Sequence, residues 1–274
     1  MTYDCNLRCR HCYLSAGDYC AKPLDFSFKN LENFYCFFKP QTVSATGGEP
    51  VLKKELLFKL AKIINSYGGS LELVTNGFFL TKELADKLHL INPNIFYQIS
   101  LDGTKKYHNY MRRNHLAYKK AIEAVNIASR TGAKTKVRLT VTDGNLSQLR
   151  SVIKKLDSFN RDNIELIIRP VISSGRAKNN NLTFSSDFLK LDKLNKFAKK
   201  IKVITTDNSG KCGCGVDTVA IDPAGDIYPC TYLVHNLLYK MGSIKKPEQL
   251  KENLEFKNFK QGCYARYLKL EEGI

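Results

Sequence analysis

No stretch of the 274 residues stays apolar for long enough to cross a bilayer. Nor is Met1 followed by the basic segment and apolar core of an export signal. A soluble, cytoplasmic protein with no membrane partner is the expectation. The aromatic-basic motif of an RNA-binding module is also missing, so nucleic acid is not an expected partner. Acidic residues are in deficit, 26 against 43 Lys and Arg, for a formal net charge of +17. Lysines such as Lys53, Lys54, Lys59, Lys62, Lys119 and Lys120 read mostly as solvated helix faces, and the basic balance would steer an acidic partner. The nine cysteines are an odd number in a chain with no export signal. That argues against a disulfide framework and for a reducing compartment where thiols hold metal.

What is present begins almost at once, with Cys5, Cys9 and Cys12 in the run from Tyr3 to Tyr13. Three thiolates spaced by three and then two residues can hold three corners of a cubane iron–sulfur cluster, leaving one iron open. A closed structural site uses four ligands, whereas a free coordination position belongs to a site that does chemistry. The competing reading is a zinc knuckle, which short Cys-x2-Cys pairs also suggest.

The pattern, with His11 in its aromatic slot, resembles the signature of the radical S-adenosylmethionine (SAM) enzymes. The resemblance implies that the open iron chelates the amino and carboxylate groups of SAM. One electron from the 4Fe-4S cluster then cleaves SAM to methionine and a 5′-deoxyadenosyl radical, which abstracts hydrogen from a substrate.

Further along, strand and helix signals alternate. Strands are expected at 42–46, 70–75, 95–101, 134–141 and 164–168, each followed by a helical apolar stripe. The last stripe is a Lys-rich helix with Phe188, Leu191, Leu194, Phe197 and Ile201 on its inner side. With a strand ahead of the cysteines, six units predict an α/β fold, a partial (βα)6 TIM-like barrel of parallel strands with functional groups at their carboxyl ends. Only four residues precede Cys5, so that first strand would be very short or begin outside the chain.

The remaining site residues follow from the family resemblance. Gly47-Gly48-Glu49-Pro50 resembles its Gly-Gly-Glu motif, whose exposed backbone and carboxylate meet the SAM amino group; a tight strand-to-helix turn is the plainer reading. Ser100 and Asp102 match the segment whose Ser and Asp face the ribose, against an ordinary Asp-Gly turn for Asp102. Arg138 would fork onto the SAM carboxylate or point outward. Tyr13 would pack on adenine or shield the cluster. His108, Arg112 and Arg113 receive no role.

From Lys211 the pattern changes. Cys212, Cys214, Cys230 and Cys263 resemble a shortened SPASM or twitch extension. Asp222-Pro-Ala-Gly-Asp226 reads as a hairpin turn between Val219–Ile221 and Ile227–Tyr228. The four cysteines would make one auxiliary cluster, with zinc or a degenerate site as alternatives. The expected division is a barrel at 1–206 and a small cysteine-containing hairpin and helix extension at 207–274. The implied function is maturation of a peptide or protein substrate, with an electron donor such as flavodoxin or ferredoxin. The alternatives are tetrapyrrole side-chain modification in heme synthesis and a metal-binding module without turnover.

Overall fold

A computed structural model describes residues 2–18, 25, 27–185, 188–206, 213–234 and 236–250. The chain forms two compact units, one of Tyr3–Tyr19 with Gln41–Thr206, the other of Met1–Thr2, Cys20–Pro40 and Asp207–Ile274. Helix α1 (Phe28–Phe38) belongs to the second unit, where Ser27 and Asn30 close its first turn as a capping box.

The larger unit is a six-stranded, wholly parallel sheet in chain order: β1 (Thr42–Ala45), β2 (Ser70–Thr75), β3 (Phe96–Ser100), β4 (Thr135–Val141), β5 (Ile164–Pro170) and β6 (Lys202–Thr205). The crossovers carry α2 (Lys54–Ser66), α3 (Lys82–Ile91), α4 (Lys105–Arg112), α5 (Ala117–Arg130) and α6 (Leu149–Asp157), with the short α7 (Arg176–Asn179) after β5. This is the partial TIM-like barrel read from the alternation.

Two-residue periodicity sets the faces. Leu71, Leu73, Tyr97, Ile99, Val137, Leu139, Leu166 and Ile168 are almost fully buried. Their alternates Val74, Gln98, Ser100, Arg138, Ile167 and Arg169 form a half-exposed, more polar face.

The strands differ from expectation in which one makes six. Among the described residues no strand lies ahead of Cys5; the sixth is β6 instead. The Lys-rich helix is a 3-10 helix at Phe188–Phe197 that stops short of Ile201. Its stop is chemical, because the Asp157 carboxylate accepts the backbone N–H groups of Lys199, Lys200 and Ile201, diverting the chain into β6. Helix α4 is also additional, filling the segment just after Asp102.

The smaller unit holds a three-stranded antiparallel sheet, β7 (Ala220–Ile221), β8 (Asp226–Tyr228) and β9 (Gly242–Ser243). Phe34 of α1 packs with Ile227, Met241 and Ile244 in its core. The Asp222–Asp226 turn forms as read: Asp226 donates its N–H to Asp222 Oδ1, and Gly225 takes a left-handed φ of 83°.

Candidate active site

The cysteine loop lies among the segments that follow β1, β2, β3 and β5, and backbone geometry explains how it is held there. Glu49 N–H donates to the Asp4 carbonyl at 2.8 Å, and a Cβ on Gly48 would stand 2.0 Å from that same oxygen. Gly48 is therefore needed for the loop's close approach. Its bare backbone meets protein, where the expected motif leaves it exposed to a ligand. Gly175, after β5, does the same from another side. It has a left-handed φ of 52°, and a Cβ there would stand 2.4 Å from the Tyr13 carbonyl oxygen.

Next to Gly175, Arg176 fastens the loop. Its backbone N–H donates to the Cys12 carbonyl, its Nε to the Cys9 carbonyl at 2.8 Å and its Nη2 to the Ala16 carbonyl, while Nη1 pairs with Asp18. Five fixed donors in a planar fork make arginine suited to collecting carbonyls in this way.

Each of the three sulfurs also meets an N–H donor. Leu7 N–H lies 3.4 Å from Cys5 Sγ and Asn76 Nδ2 3.9 Å from it. Arg112 Nη1 is 3.7 Å from Cys9 Sγ, and Ala16 N–H is 3.4 Å from Cys12 Sγ. N–H groups on sulfur stabilise thiolate and are a lever on iron–sulfur clusters, so the donor set fits one. Burial opposes thiolate formation, pushing the Cys5 thiol up to about 11 and raising Cys9 too, so proton release belongs to metal loading. Among the described residues no three Cys, His, Asp or Glu side chains converge on a single ion. A cubane makes a different demand, one thiolate at each of three irons.

Glu49 is fully buried and already occupied. Its Oε1 accepts from Thr75 Oγ1 at 2.7 Å and Val51 N–H at 3.1 Å, and its Oε2 from Asn76 N–H at 2.8 Å. Burial raises its carboxyl pKa against these three donors. A carboxylate has about four acceptor sites, so one is left for an incoming ammonium.

Ser100 and Arg138 are register partners on β3 and β4 and share the half-exposed face. Tyr13 is half-buried with its backbone against Gly175. Gly47 takes a φ of 143° between β1 and Gly48.

Asp102 departs from its expected place as an open ribose acceptor. It is 1% exposed, and its Oδ2 accepts from Arg112 Nε at 2.7 Å while Oδ1 accepts from Thr140 N–H at 3.4 Å. His108 Nδ1 and His11 Nε2 stand 3.7 and 3.8 Å from Oδ2. Burial would raise this carboxyl, but Arg112, His11 and His108 outweigh it and hold it well below the usual range. Its backbone is equally fixed, with N–H donating to His108 Nδ1 and the carbonyl accepting from Asn145 Nδ2. His11 Nδ1 is buried and has no hydrogen-bond partner among the described residues, as suits a ring that meets a bound cofactor.

Sequence reasoning misses the parts played by Arg112, Arg176 and Asn76. Arg112 stands out in the sequence only as a residue without a role. Arg176 and Asn76 lie 167 and 71 positions from the cysteines they serve, so no local spacing marks them.

In the smaller unit, Cys214 is buried and bridges Thr218, and Gly215 N–H donates to the Pro229 carbonyl at 3.1 Å. That bond brings the backbone at Cys214 beside that at Cys230, at the hairpin end opposite the turn. Cys212 and Cys263 lie outside the described residues.

A family model described as the Radical SAM superfamily matches residues 1–156. The chain is 27% identical over 292 residues to pre-heme d1 synthase of Dinoroseobacter shibae, covering 90% of this chain and 70% of that one. It is also 27% identical over 261 residues to mycofactocin maturase MftC of Mycobacterium ulcerans, covering 86% and 68%. Among solved structures it shares the fold of native anSMEcpe with bound AdoMet and Kp18Cys peptide, with a TM-score of 0.67 and 19% identity over 93% of this chain and 80% of that one. Enzymes of this superfamily use a 4Fe-4S cluster and SAM. A three-thiolate loop held at the strand ends of a parallel sheet is what such chemistry requires, and with more than half its length matched the chain belongs to the radical SAM superfamily.

Proposed function

We propose that this radical SAM enzyme matures a peptide or protein. The observation that carries the reading is the hairpin unit, whose paired strands bring the backbones at Cys214 and Cys230 to one end. A dedicated cysteine-bearing unit in the same chain as a radical SAM barrel suits enzymes that modify peptides, and similarity to mycofactocin maturase supports it. The +17 charge favours an acidic peptide segment.

When bound, the cluster and SAM supply a 5′-deoxyadenosyl radical for hydrogen abstraction. The chain's own residues bind and orient. Cys5, Cys9 and Cys12 would hold the cluster. Gly47 and the last acceptor site of Glu49 would take the SAM ammonium, Arg138 its carboxylate end and Ser100 its ribose; Tyr13 and His11 would flank the nucleoside. Cys212, Cys214, Cys230 and Cys263 would hold one auxiliary cluster in the 207–274 extension, and a flavodoxin or ferredoxin would supply electrons.

The similarity to pre-heme d1 synthase favours a second reading, a tetrapyrrole side chain as substrate. Anaerobic assays of 5′-deoxyadenosine formation separate the two. Stimulation by acidic peptides with a matching mass loss supports the first; stimulation by porphyrins alone overturns it.

A further inference from the structure

Arg112 ends α4 with its side chain buried, and its guanidinium makes two bonds at once, Nη1 to Cys9 Sγ at 3.7 Å and Nε to Asp102 Oδ2 at 2.7 Å. Buried charges persist where each is paired and hydrogen-bonded, and this pair is. Asp102 is anchored by Thr140 N–H on its side chain and by His108 and Asn145 on its backbone, so it cannot swing toward another ligand without leaving a buried arginine uncompensated. The arrangement places a permanent positive charge against one cluster ligand and a fixed negative charge behind it.

We propose that Arg112 is a positioning residue that sets the reduction potential of the cluster at Cys9, and that Asp102 serves as its counter-charge instead of as the ribose acceptor. One electron added to the cluster makes it more negative. A nearby cation and an N–H on the ligand sulfur stabilise that reduced form, and the aspartate partly offsets them. His11 and His108 are the other titratable groups facing the pair, at 3.8 and 3.7 Å from Asp102 Oδ2. The inference rests on the triplet being the cluster site.

The test is an anaerobic EPR redox titration of the reconstituted full chain, with iron and sulfide content and SAM dissociation constants measured alongside. Arg112→Gln is expected to lower the potential, making the equilibrium constant for reduction about tenfold smaller, about 59 mV for a one-electron couple. Arg112→Lys, which keeps the charge, is expected to fall between. Asp102→Asn is expected to raise the potential with SAM affinity within about twofold, because the amide keeps an acceptor for Arg112 but drops the negative charge.

A loaded Arg112→Gln protein with unchanged potential would overturn the proposal. So would an Asp102→Asn protein with unchanged potential and weakened SAM binding, which would restore the ribose role. If Arg112→Gln does not load, Asp102→Asn alone decides. Wild-type chain that takes up no iron would instead remove the cluster assignment on which the inference rests.

Discussion

The two cysteine-bearing regions are built on different principles. The triplet sits on a loop with little structure of its own and is held by neighbours: the Gly48 approach to Asp4, the Arg176 fork, Asn76 after β2 and Arg112 at the end of α4. Cys214 and Cys230 are placed by strand register, with the tight Asp222–Asp226 turn and the β7–β8 pairing bringing their backbones side by side. A loop assembled from distant donors can surround each sulfur with N–H groups and buried charge. A hairpin supplies proximity through its register. The first suits a cluster whose electronics matter to the reaction, the second an accessory site.

The largest effect expected to separate the regions is chemical. Cys9→Ala should abolish 5′-deoxyadenosine formation and remove about four irons, the content of one cubane. Cys230→Ala should leave the barrel's iron in place and reduce turnover on peptide. Iron analysis with a SAM-cleavage assay checks both. Equal loss of barrel iron in the two variants would erase the distinction.

Next comes the scaffold of the loop. Arg176→Ala removes the shorter of two bonds to the Cys9 carbonyl, which keeps the one from Cys12 N–H at 3.3 Å, and takes the Arg176 donor from the Ala16 carbonyl, at about 1–3 kcal/mol for the latter if it stays buried. The loop should therefore lose iron faster under chelator, while the hairpin cysteines keep their wild-type reactivity to a thiol reagent. Gly48→Ala forces a backbone shift, since its Cβ would meet the Asp4 oxygen at 2.0 Å. Overpacking of this kind costs about 1–3 kcal/mol, and urea unfolding of the metal-free chain should show it.

The smallest expected effect is on pH. Burial lowers the His108 pKa to about 3 from an ordinary 6.5, so between those values the unfolded chain binds more protons than the folded one. Stability then falls as pH drops below about 6.5. Protonation would also cost His108 Nδ1 the bond it accepts from Asp102 N–H. Asp102, held far below the usual range, stays ionised in the folded chain; the stability it loses as the unfolded carboxylate protonates has the same sign but sets in near the ordinary value of 3.8, below the range of the melts. His108→Asn should flatten the acid limb in part, because His11, lowered to about 4, titrates with the same sign. Denaturant melts between about pH 7 and pH 4.5, inside that window, measure the difference.

What is legible in the sequence follows the same division. The triplet, the glycine pair and the Asp222–Asp226 turn are local patterns, and the parallel sheet emerges from alternating periodicities. Strand β6 is hidden because Ile201 also completes a helical stripe, and only Asp157, 42 to 44 residues earlier, shows that the helix ends before it. Asp102 is visible as a residue, but its direction is not. Its partner Arg112 lies ten positions on, across a helix that charged and aromatic residues disguise. Arg176 offers no signal at all.

The cluster that meets SAM is assigned to Cys5, Cys9 and Cys12, and EPR of the dithionite-reduced protein with and without SAM tests that assignment most directly. A signal that changes on adding SAM, survives in Cys230→Ala and disappears in Cys9→Ala is the predicted result. A SAM-responsive signal that persists in Cys9→Ala would contradict it.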